Sequence, residues 1–235
     1  MYETDLSAIY DAIYHFKNYA EESEYLVHAI RKRVPEARTL LEVGCGTGLY
    51  LEHLKRDFDV QGLDLSAEML TAAQNRLPGI QLHEADMADF ELDNRFDIVC
   101  CLFRSIAYVK SAARFGKTVE TMARHVAPGG LVIIEPFFTP ETYWVDRVTL
   151  NEYENDDMKI AWMYVSEKED RVAKLDIHYL VGTRDGVHHF TELHEMGLFS
   201  EEDYSEAFDR AGLTLEFEPD SPGGTGMYFG EKRGS

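Results

Sequence analysis

The fold of this chain is decided by residues 39–48, which read Thr-Leu-Leu-Glu-Val-Gly-Cys-Gly-Thr-Gly. The apolar run Thr39–Val43 is typical of a buried strand, and the segment Leu49–Arg56 has helical spacing. Glycines occupy alternate positions over Gly44–Gly48, where the missing Cβ lets the backbone approach a ligand closely. The first N–H groups of the following helix are free to face the same ligand. These residues therefore predict a strand, a ligand-binding loop and a helix.

The spacing of the glycines separates this loop from two other glycine-rich loops. A dinucleotide-binding loop has the pattern G-x-G-x-x-G, whereas here the third glycine comes one residue earlier and Glu42 precedes the loop. A P-loop ends in a lysine that reaches the phosphates, and no lysine follows Gly48 directly. The sequence therefore excludes a P-loop and disfavours a dinucleotide site.

Short apolar runs alternate with helical segments around this loop, which is the pattern of βαβ units and a parallel sheet. The predicted strands are Thr39–Val43, Val60–Asp64, Ile80–Glu84, Phe96–Leu102 and Leu131–Glu135, and later Thr214–Glu218 and Gly226–Gly230. The predicted helices are Leu49–Arg56, Ala67–Arg76, Ala112–Val126 and Glu201–Ala211. We expect an α/β fold with a doubly wound, mostly parallel, Rossmann-like sheet of seven strands.

Residues 137–199 break this pattern, because aromatic and β-branched runs such as Trp162–Val165 and Lys174–Val181 alternate with turns. Thr183–Gly186 predicts a hairpin turn between two of these runs. We therefore divide the chain into an N-terminal helical cap over the ligand site (1–38), a core (39–136 and 200–235) and an antiparallel β insertion (137–199).

Two acidic residues follow predicted strands of the core. Asp64 ends the second strand, roughly 20 residues after the loop, where a carboxylate is placed to accept hydrogen bonds from ribose hydroxyls. Asp86, with Met87 beside it, follows the third strand and could receive the exocyclic amine of adenine. The carboxyl ends of parallel strands meet at the edge where open α/β sheets bind ligands. Together with the loop, these residues predict a nucleoside site.

Charge and composition exclude several classes of partner. The chain has 43 acidic against 23 basic side chains, a formal charge of -20, which would repel nucleic acids and anionic membrane surfaces. No apolar stretch approaches the roughly 20 residues of a membrane-spanning helix, and the acidic start Met1–Asp5 does not resemble a signal peptide. The three cysteines (Cys45, Cys100 and Cys101) fit neither a disulfide framework nor a zinc site. We expect a cytoplasmic protein.

The loop, Asp64, Asp86-Met87 and Pro128-Gly129-Gly130 occur in an order that resembles class I S-adenosylmethionine-dependent methyltransferases. A closer resemblance spans nearly the whole chain and points to the nucleotide-amino-sugar N,N-dimethyltransferases of the desosamine and mycaminose type. It is carried by Tyr10-Asp11, Tyr19, Gly62-Leu63, Met69-Leu70, Asp86–Phe90, Glu135-Pro136, Pro140–Thr142, His189-Phe190, His194 and Leu198-Phe199. The resemblance implies direct in-line methyl transfer from S-adenosylmethionine to the amine of an amino sugar or a related natural-product intermediate. It also implies a homodimer, with the insertion as a candidate contact surface.

The same resemblance implies a set of site residues. The glycines would face the methionine part of the donor, Tyr19 would close over it and Leu102 would support it at the fourth strand. The implied donor residues are Tyr19, Glu42, Gly44, Cys45, Gly46, Gly48, Asp64, Leu65, Met69, Asp86, Met87 and Leu102. The implied acceptor residues are Tyr2, Phe103, Arg104, Ser105, Glu135 and Thr225. If a base acts, the candidates are His194, His189 and Tyr108.

Two positions depart from the family that the chain resembles. Thr225 stands where those enzymes carry an arginine suited to a nucleotide phosphate, and Arg104 stands where they have a serine. Two alternatives to amine methylation therefore stay open: a methyltransferase acting on an oxygen, which would need a base, and a noncatalytic module that binds the cofactor. His188-His189 has no accompanying Glu or Cys ligand pattern, so we expect no metal site.

Overall fold

A computed structural model of the chain describes residues 6–234. The helices are α1 (Leu6–Ile13), α2 (Tyr19–Arg33), α3 (Leu49–Leu54), α4 (Ala67–Arg76), α5 (Ala112–His125) and α6 (Glu201–Arg210), with a 3-10 helix at Ser105–Val109. The strands are β1 (Thr39–Val43), β2 (Asp59–Asp64), β3 (Gln81–Glu84), β4 (Phe96–Cys101), β5 (Val126–Ile134), β6 (Val148–Glu154), β7 (Met158–Glu169), β8 (Val172–Thr183), β9 (Gly186–Gly197), β10 (Leu213–Glu218) and β11 (Met227–Lys232).

The strands form two sheets, and the larger one carries the glycine loop. Its seven strands lie in the order β10-β11-β5-β4-β1-β2-β3. β11 runs antiparallel to both of its neighbours, β10 and β5, while the remaining neighbours are parallel. β1 lies inside the sheet, where Leu41 is paired with Gln61 of β2 and with Val99 of β4. The predicted mostly parallel, seven-stranded fold is confirmed.

The central strands β1, β4 and β5 are buried on both faces, which explains why they are mostly apolar. Leu41 and Val43 of β1 pack on one face with residues of α5 and α6, including Val119 and Phe208. Leu40, one residue away, packs on the other face with α2 and α3. Successive side chains of a strand point to opposite faces, so the two helical layers alternate along β1.

The smaller sheet has the order β6-β7-β8-β9 and is antiparallel throughout. Its inner face, with Trp162 and Tyr179, buries Ile9 and Ile13 of α1. Helix α2 instead belongs to the core of the large sheet, where Ile30 is buried. The segment predicted as a helical cap therefore contains two helices with different partners.

Two features refine the sequence-based assignment. β5 begins at Val126, earlier than the predicted Leu131, because Val126 pairs with Phe96 before a bulge; regular pairing resumes at Leu131 with Ile98. The turn residues Pro128-Gly129-Gly130 lie within this irregularity rather than ahead of the strand. Within residues 6–234, no helix combines the length and apolar character needed to cross a membrane.

Candidate active site

A cavity of about 1040 Å³ lies where the large sheet, α1 and the small sheet meet. The large sheet contributes the loops after β1, β2, β3 and β4, and the small sheet contributes inner-face residues of β8 and β9. Its wall includes Lys17, Gly44, Gly46, Asp64, Leu65, Met69, Asp86, Met87, Phe103, Arg104, Ser105, Tyr108, Arg114, Phe138, Trp144, Tyr179, Glu192, His194 and Gly223. One side of the cavity is therefore formed by the predicted nucleoside site, and another side is formed by the insertion.

The three glycines of the loop have positive φ angles but different surroundings. Gly44 and Gly46 line the cavity, and nothing lies within 4 Å of the position that a Cβ on Gly46 would take. Gly48 precedes α3 and faces α4 instead, where an added Cβ would lie 3.0 Å from Leu77 Cδ1. Cys45 is buried beneath the loop and does not line the cavity. Of these four predicted donor residues, the structure brings two to the cavity wall.

The two predicted carboxylates are held in place by hydrogen bonds. Asp64 accepts from the backbone N–H of Gly46 at 2.8 Å and from that of Ser66 at 2.9 Å. Asp86 pairs with Arg114 at 2.7 Å and accepts from Ala88 N at 2.8 Å. The hydrogen bond from Arg114 holds the pKa of Asp86 below its usual value. A carboxylate oxygen accepts more than one hydrogen bond, so both groups keep acceptor capacity for a ligand.

Other predicted donor residues divide between the wall and the layer behind it. Leu65, Met69 and Met87 line the cavity, whereas Tyr19, Glu42 and Leu102 do not. Burial of Glu42, which is 2% exposed, raises its pKa well above the usual value of a carboxyl group. Its Oε2 and the Tyr19 hydroxyl are buried without a hydrogen-bond partner in the described part of the chain.

The loop side of the cavity has the shape and the polar groups that the expected donor requires. The loop leaves space above Gly46, Asp64 is oriented beside it, and the cavity continues past Met69 and Met87 to Asp86. A bare backbone, an acceptor for ribose hydroxyls and apolar side chains suit a nucleoside carrying a short charged chain. The residues therefore fit S-adenosylmethionine, with Glu42 and Tyr19 as buried polar groups behind the loop.

On the acceptor side, Phe103, Arg104 and Ser105 line the cavity, and Ser105 Oγ donates to Gly44 O at 3.4 Å. Glu135 lies behind this wall and accepts from Phe103 N at 2.7 Å; burial raises its pKa. Thr225 does not line the cavity. The predicted residue Tyr2 lies outside residues 6–234.

A polar chain crosses the wall contributed by the small sheet. The Tyr108 hydroxyl lies 2.8 Å from His194 Nδ1, and His194 Nε2 lies 3.7 Å from a Glu192 carboxylate oxygen. Tyr179 of the same sheet lines this wall beside Glu192. The nearby imidazole of His194 holds the pKa of Glu192 below its usual value. Glu192 and Tyr179 were not predicted, although Glu192 shares the strand face of His194 by period-two spacing.

The structure corrects one of the three candidate bases. His189 lies on the outer face of the small sheet, where its Nε2 is 3.3 Å from Nδ1 of His178. It does not line the cavity. His194 lies five positions further along β9, an odd offset, so the two side chains point to opposite faces of the strand. His189 is therefore removed from the candidate bases.

Helix α1 is attached to the glycine loop by Asp11. Its carboxylate accepts from Thr47 Oγ1 at 2.7 Å and pairs with Arg76 of α4 at 2.5 Å. The Arg76 guanidinium also donates to Thr47 O. The Tyr10-Asp11 pair carried part of the resemblance, but nothing in its spacing indicated this contact. Among the side chains of residues 6–234, no group of three metal-ligating residues is close enough to hold a metal ion.

Comparison with known proteins agrees with this geometry. Residues 40–130 match a family model described as a methyltransferase domain. The chain is 38% identical, over 98% of its length and 99% of the relative's, to dTDP-3-amino-3,4,6-trideoxy-alpha-D-glucopyranose N,N-dimethyltransferase from Streptomyces venezuelae. It is 37% identical over 97% of its length to dTDP-3-amino-3,6-dideoxy-alpha-D-glucopyranose N,N-dimethyltransferase from Streptomyces fradiae, which it covers to 91%.

The same relationship is found among solved structures. The crystal structure of Streptomyces venezuelae DesVI superimposes with a TM-score of 0.94, at 37% identity, over 98% of this chain and all of that one. The SAM-bound amino pentose methyltransferase CalS10 from Micromonospora echinaspora superimposes with a TM-score of 0.88, at 32% identity, over 99% of this chain and 98% of that one. The expected donor, S-adenosylmethionine, is thereby confirmed. The chain belongs to the S-adenosylmethionine-dependent amino-sugar N,N-dimethyltransferase family.

Proposed function

We propose that this methyltransferase transfers a methyl group to the amine of a nucleotide-linked amino sugar. The observation that carries the proposal is a single cavity that joins Gly46 and Asp64 at one side to Tyr108 and His194 at another. Its volume of about 1040 Å³ is at the upper end of ligand sites, roughly 300–1000 Å³, which suits a donor and an acceptor bound together.

The donor side of the site has mainly a positioning role. Gly44 and Gly46 would admit the donor to the backbone, Asp64 would accept from its ribose, and Asp86 with Met87 would hold its adenine. Once bound, the sulfonium supplies an electrophilic methyl group. The Asp11 contact holds α1 against the glycine loop, which favours a fixed approach geometry. We also propose that the chain is divided into an N-terminal cap (1–38), a core (39–136 and 200–235) and an insertion (137–199).

On the acceptor side, the polar chain can orient an amine and remove its proton. If His194 Nδ1 accepts from the Tyr108 hydroxyl, the imidazole proton lies on Nε2 and faces Glu192. The Tyr108 oxygen can then accept from the amine while its own proton moves to His194. A neutral amine is itself nucleophilic, so this route assists the reaction but is not indispensable for it.

Labelled methyl transfer to a matched panel of acceptors tests the proposal. We expect transfer to dTDP-linked amino sugars and little transfer to free amines or to dTDP sugars that carry a hydroxyl in place of the amine. His194→Ala and Tyr108→Phe should reduce amine methylation only partly, whereas methylation of an oxygen would be abolished. Transfer to the hydroxylated sugars that depends completely on both residues would instead support the oxygen-directed alternative.

We also propose a homodimer, because several large apolar side chains are exposed on the outer face of the small sheet. Val148, Leu150 and Leu193 are 66%, 63% and 61% exposed. Leu150 pairs with the exposed Met163 of the neighbouring strand. Light scattering should give twice the chain mass, and Leu150→Glu should give the single mass; a monomeric native protein would contradict the proposal.

We further propose a cytoplasmic location. The three cysteines are free and buried, which is compatible with a reducing compartment.

A further inference from the structure

Three cationic side chains from Lys and Arg line the cavity, and two of them are neutralised. Lys17 pairs with Glu22 at 2.8 Å, and Arg114 pairs with Asp86 at 2.7 Å. Arg104 has no carboxylate partner among residues 6–234. Its Nη2 donates to Gly223 O at 2.7 Å, and its Nε is buried without a partner. Arg104 therefore carries, at the cavity wall, a positive charge that no carboxylate of the described residues pairs with.

The backbone fixes where this charge lies. Phe103 and Arg104 have φ angles of +50° and +63°, a conformation that side-chain-bearing residues rarely adopt. The Phe103 N–H is held by Glu135, and the Arg104 guanidinium by the loop containing Gly223. An arginine held at both its backbone and its guanidinium is pre-organised to receive an anion.

An aromatic wall adjoins Arg104 in the same cavity. The guanidinium carbon lies 5.8 Å from the Phe138 ring centroid, and Phe138 lies 6.0 Å from the Trp144 ring centroid. Tyr143 is nearly parallel to Trp144, with ring centroids 5.6 Å apart and an interplanar angle of 14°. All three rings line the cavity. Aromatic rings of this kind accept a stacked nucleobase.

We propose that Arg104 binds the diphosphate of the acceptor and that Phe138 and Trp144 bind its nucleobase. This inference rests on the proposed function, since it assumes an acceptor linked to a nucleotide. The other charged groups of the wall are mostly acidic, namely Glu21, Glu22, Asp64, Glu68, Asp86 and Glu192. An anionic ligand would be repelled by these groups, so the unpaired Arg104 decides whether it binds. The amino sugar is then left to the Tyr108–His194 side.

Isothermal titration with thymidine 5′-diphosphate and with thymidine separates the two halves of this subsite. Arg104→Gln should weaken thymidine diphosphate binding by roughly 10–150-fold, the range for a charge-assisted hydrogen bond, and leave thymidine binding unchanged. Trp144→Ala should weaken both ligands by about 5–150-fold, the range for one stacked base. Arg184→Gln, which removes an exposed arginine on the β8–β9 turn, is the matched control for net charge and should bind as the native protein does.

S-adenosylhomocysteine binding should be retained by every variant, which shows that each one is folded. If native protein binds thymidine diphosphate and Arg104→Gln binds it equally well, the Arg104 proposal is overturned while the proposed function stands. If Trp144→Ala leaves thymidine binding unchanged, the nucleobase assignment is overturned. If native protein binds S-adenosylhomocysteine but not thymidine diphosphate, the nucleotide-linked acceptor and this subsite are both overturned.

Discussion

We expect alanine at Gly46 to weaken donor binding and alanine at Gly48 to lower the stability of the fold. Their φ angles are +53° and +80°, so an added Cβ costs about 1–2 kcal/mol of stability at either position. Gly46 lines the cavity, and a Cβ added there would have no protein atom within 4 Å, so it would occupy space left for the ligand. At Gly48 it would lie 3.0 Å from Leu77 Cδ1 and 3.3 Å from Ala73 Cβ. The first substitution intrudes on the ligand and the second on α4.

The sizes of the two effects follow from these contacts. Backbone strain alone should lower the melting temperature of Gly46→Ala by about 2–8 °C, at 2–4 °C per kcal/mol. Overpacking adds about 1–3 kcal/mol at Gly48, which brings the expected decrease there to about 4–20 °C. Gly212, with a φ of +71° and open space around a Cβ, does not line the cavity, so Gly212→Ala measures the strain by itself.

Thermal unfolding without ligand and isothermal titration with S-adenosylhomocysteine measure the two properties separately. Gly46→Ala should lose at least about tenfold in affinity, equivalent to 1.4 kcal/mol, because the methyl group displaces the ligand from the loop. Gly48→Ala and Gly212→Ala should retain native affinity wherever they are folded. If Gly46→Ala binds S-adenosylhomocysteine with native affinity, Gly46 does not face the ligand. If Gly48→Ala has the same melting temperature as Gly212→Ala, an added Cβ at Gly48 does not clash with α4.

Three further predictions concern carboxyl groups. Asp64→Ala should weaken S-adenosylhomocysteine binding by about 1.5–3 kcal/mol in titration, as expected for a charge-assisted hydrogen bond; native affinity would exclude its assignment to the ribose. Glu42 has a raised pKa in the folded state, so native stability falls as pH rises from the unfolded pKa towards the folded one. The melting temperature of ligand-free Glu42→Gln relative to native protein should therefore increase from pH 5 to pH 8, and a constant difference would contradict this. Glu192→Gln should lower kcat/KM for the amine acceptor by up to about fivefold, because His194 Nε2 loses a partly solvated acidic neighbour 3.7 Å away that contributes at most about 1 kcal/mol; unchanged kinetics would show that this contact does not position His194.

The sequence predicted the large sheet well because its signal is local. Strands buried on both faces are mostly apolar, and runs such as Thr39–Val43 and Phe96–Cys101 show that composition within a few residues. The carboxyl-end position of Asp64 and Asp86 then follows from parallel topology alone. The donor side was therefore accessible from strand order, even though Gly48 packs against a helix rather than facing the ligand.

The acceptor side was less accessible because it depends on tertiary contacts. The choice between His189 and His194 depends on the register of β9 against α1 and the 3-10 helix, and a shift of one residue exchanges the two faces. Glu192 gains its role only when Tyr108, distant in sequence, reaches His194. No spacing within residues 137–199 records either contact.

The energetics of α1 show which side of the cavity is held more weakly. Its contact with the small sheet buries Ile9 and Ile13, each about 5% exposed, and burying one such side chain contributes about 1.5–3 kcal/mol. Its contact with the glycine loop depends on Asp11, whose ion pair with Arg76 is partly solvated and contributes at most about 1 kcal/mol, with a similar amount from the Thr47 hydrogen bond. Helix α1 is thus bound more firmly to the insertion than to the core. The weaker boundary of the cavity lies beside the loop that receives the donor.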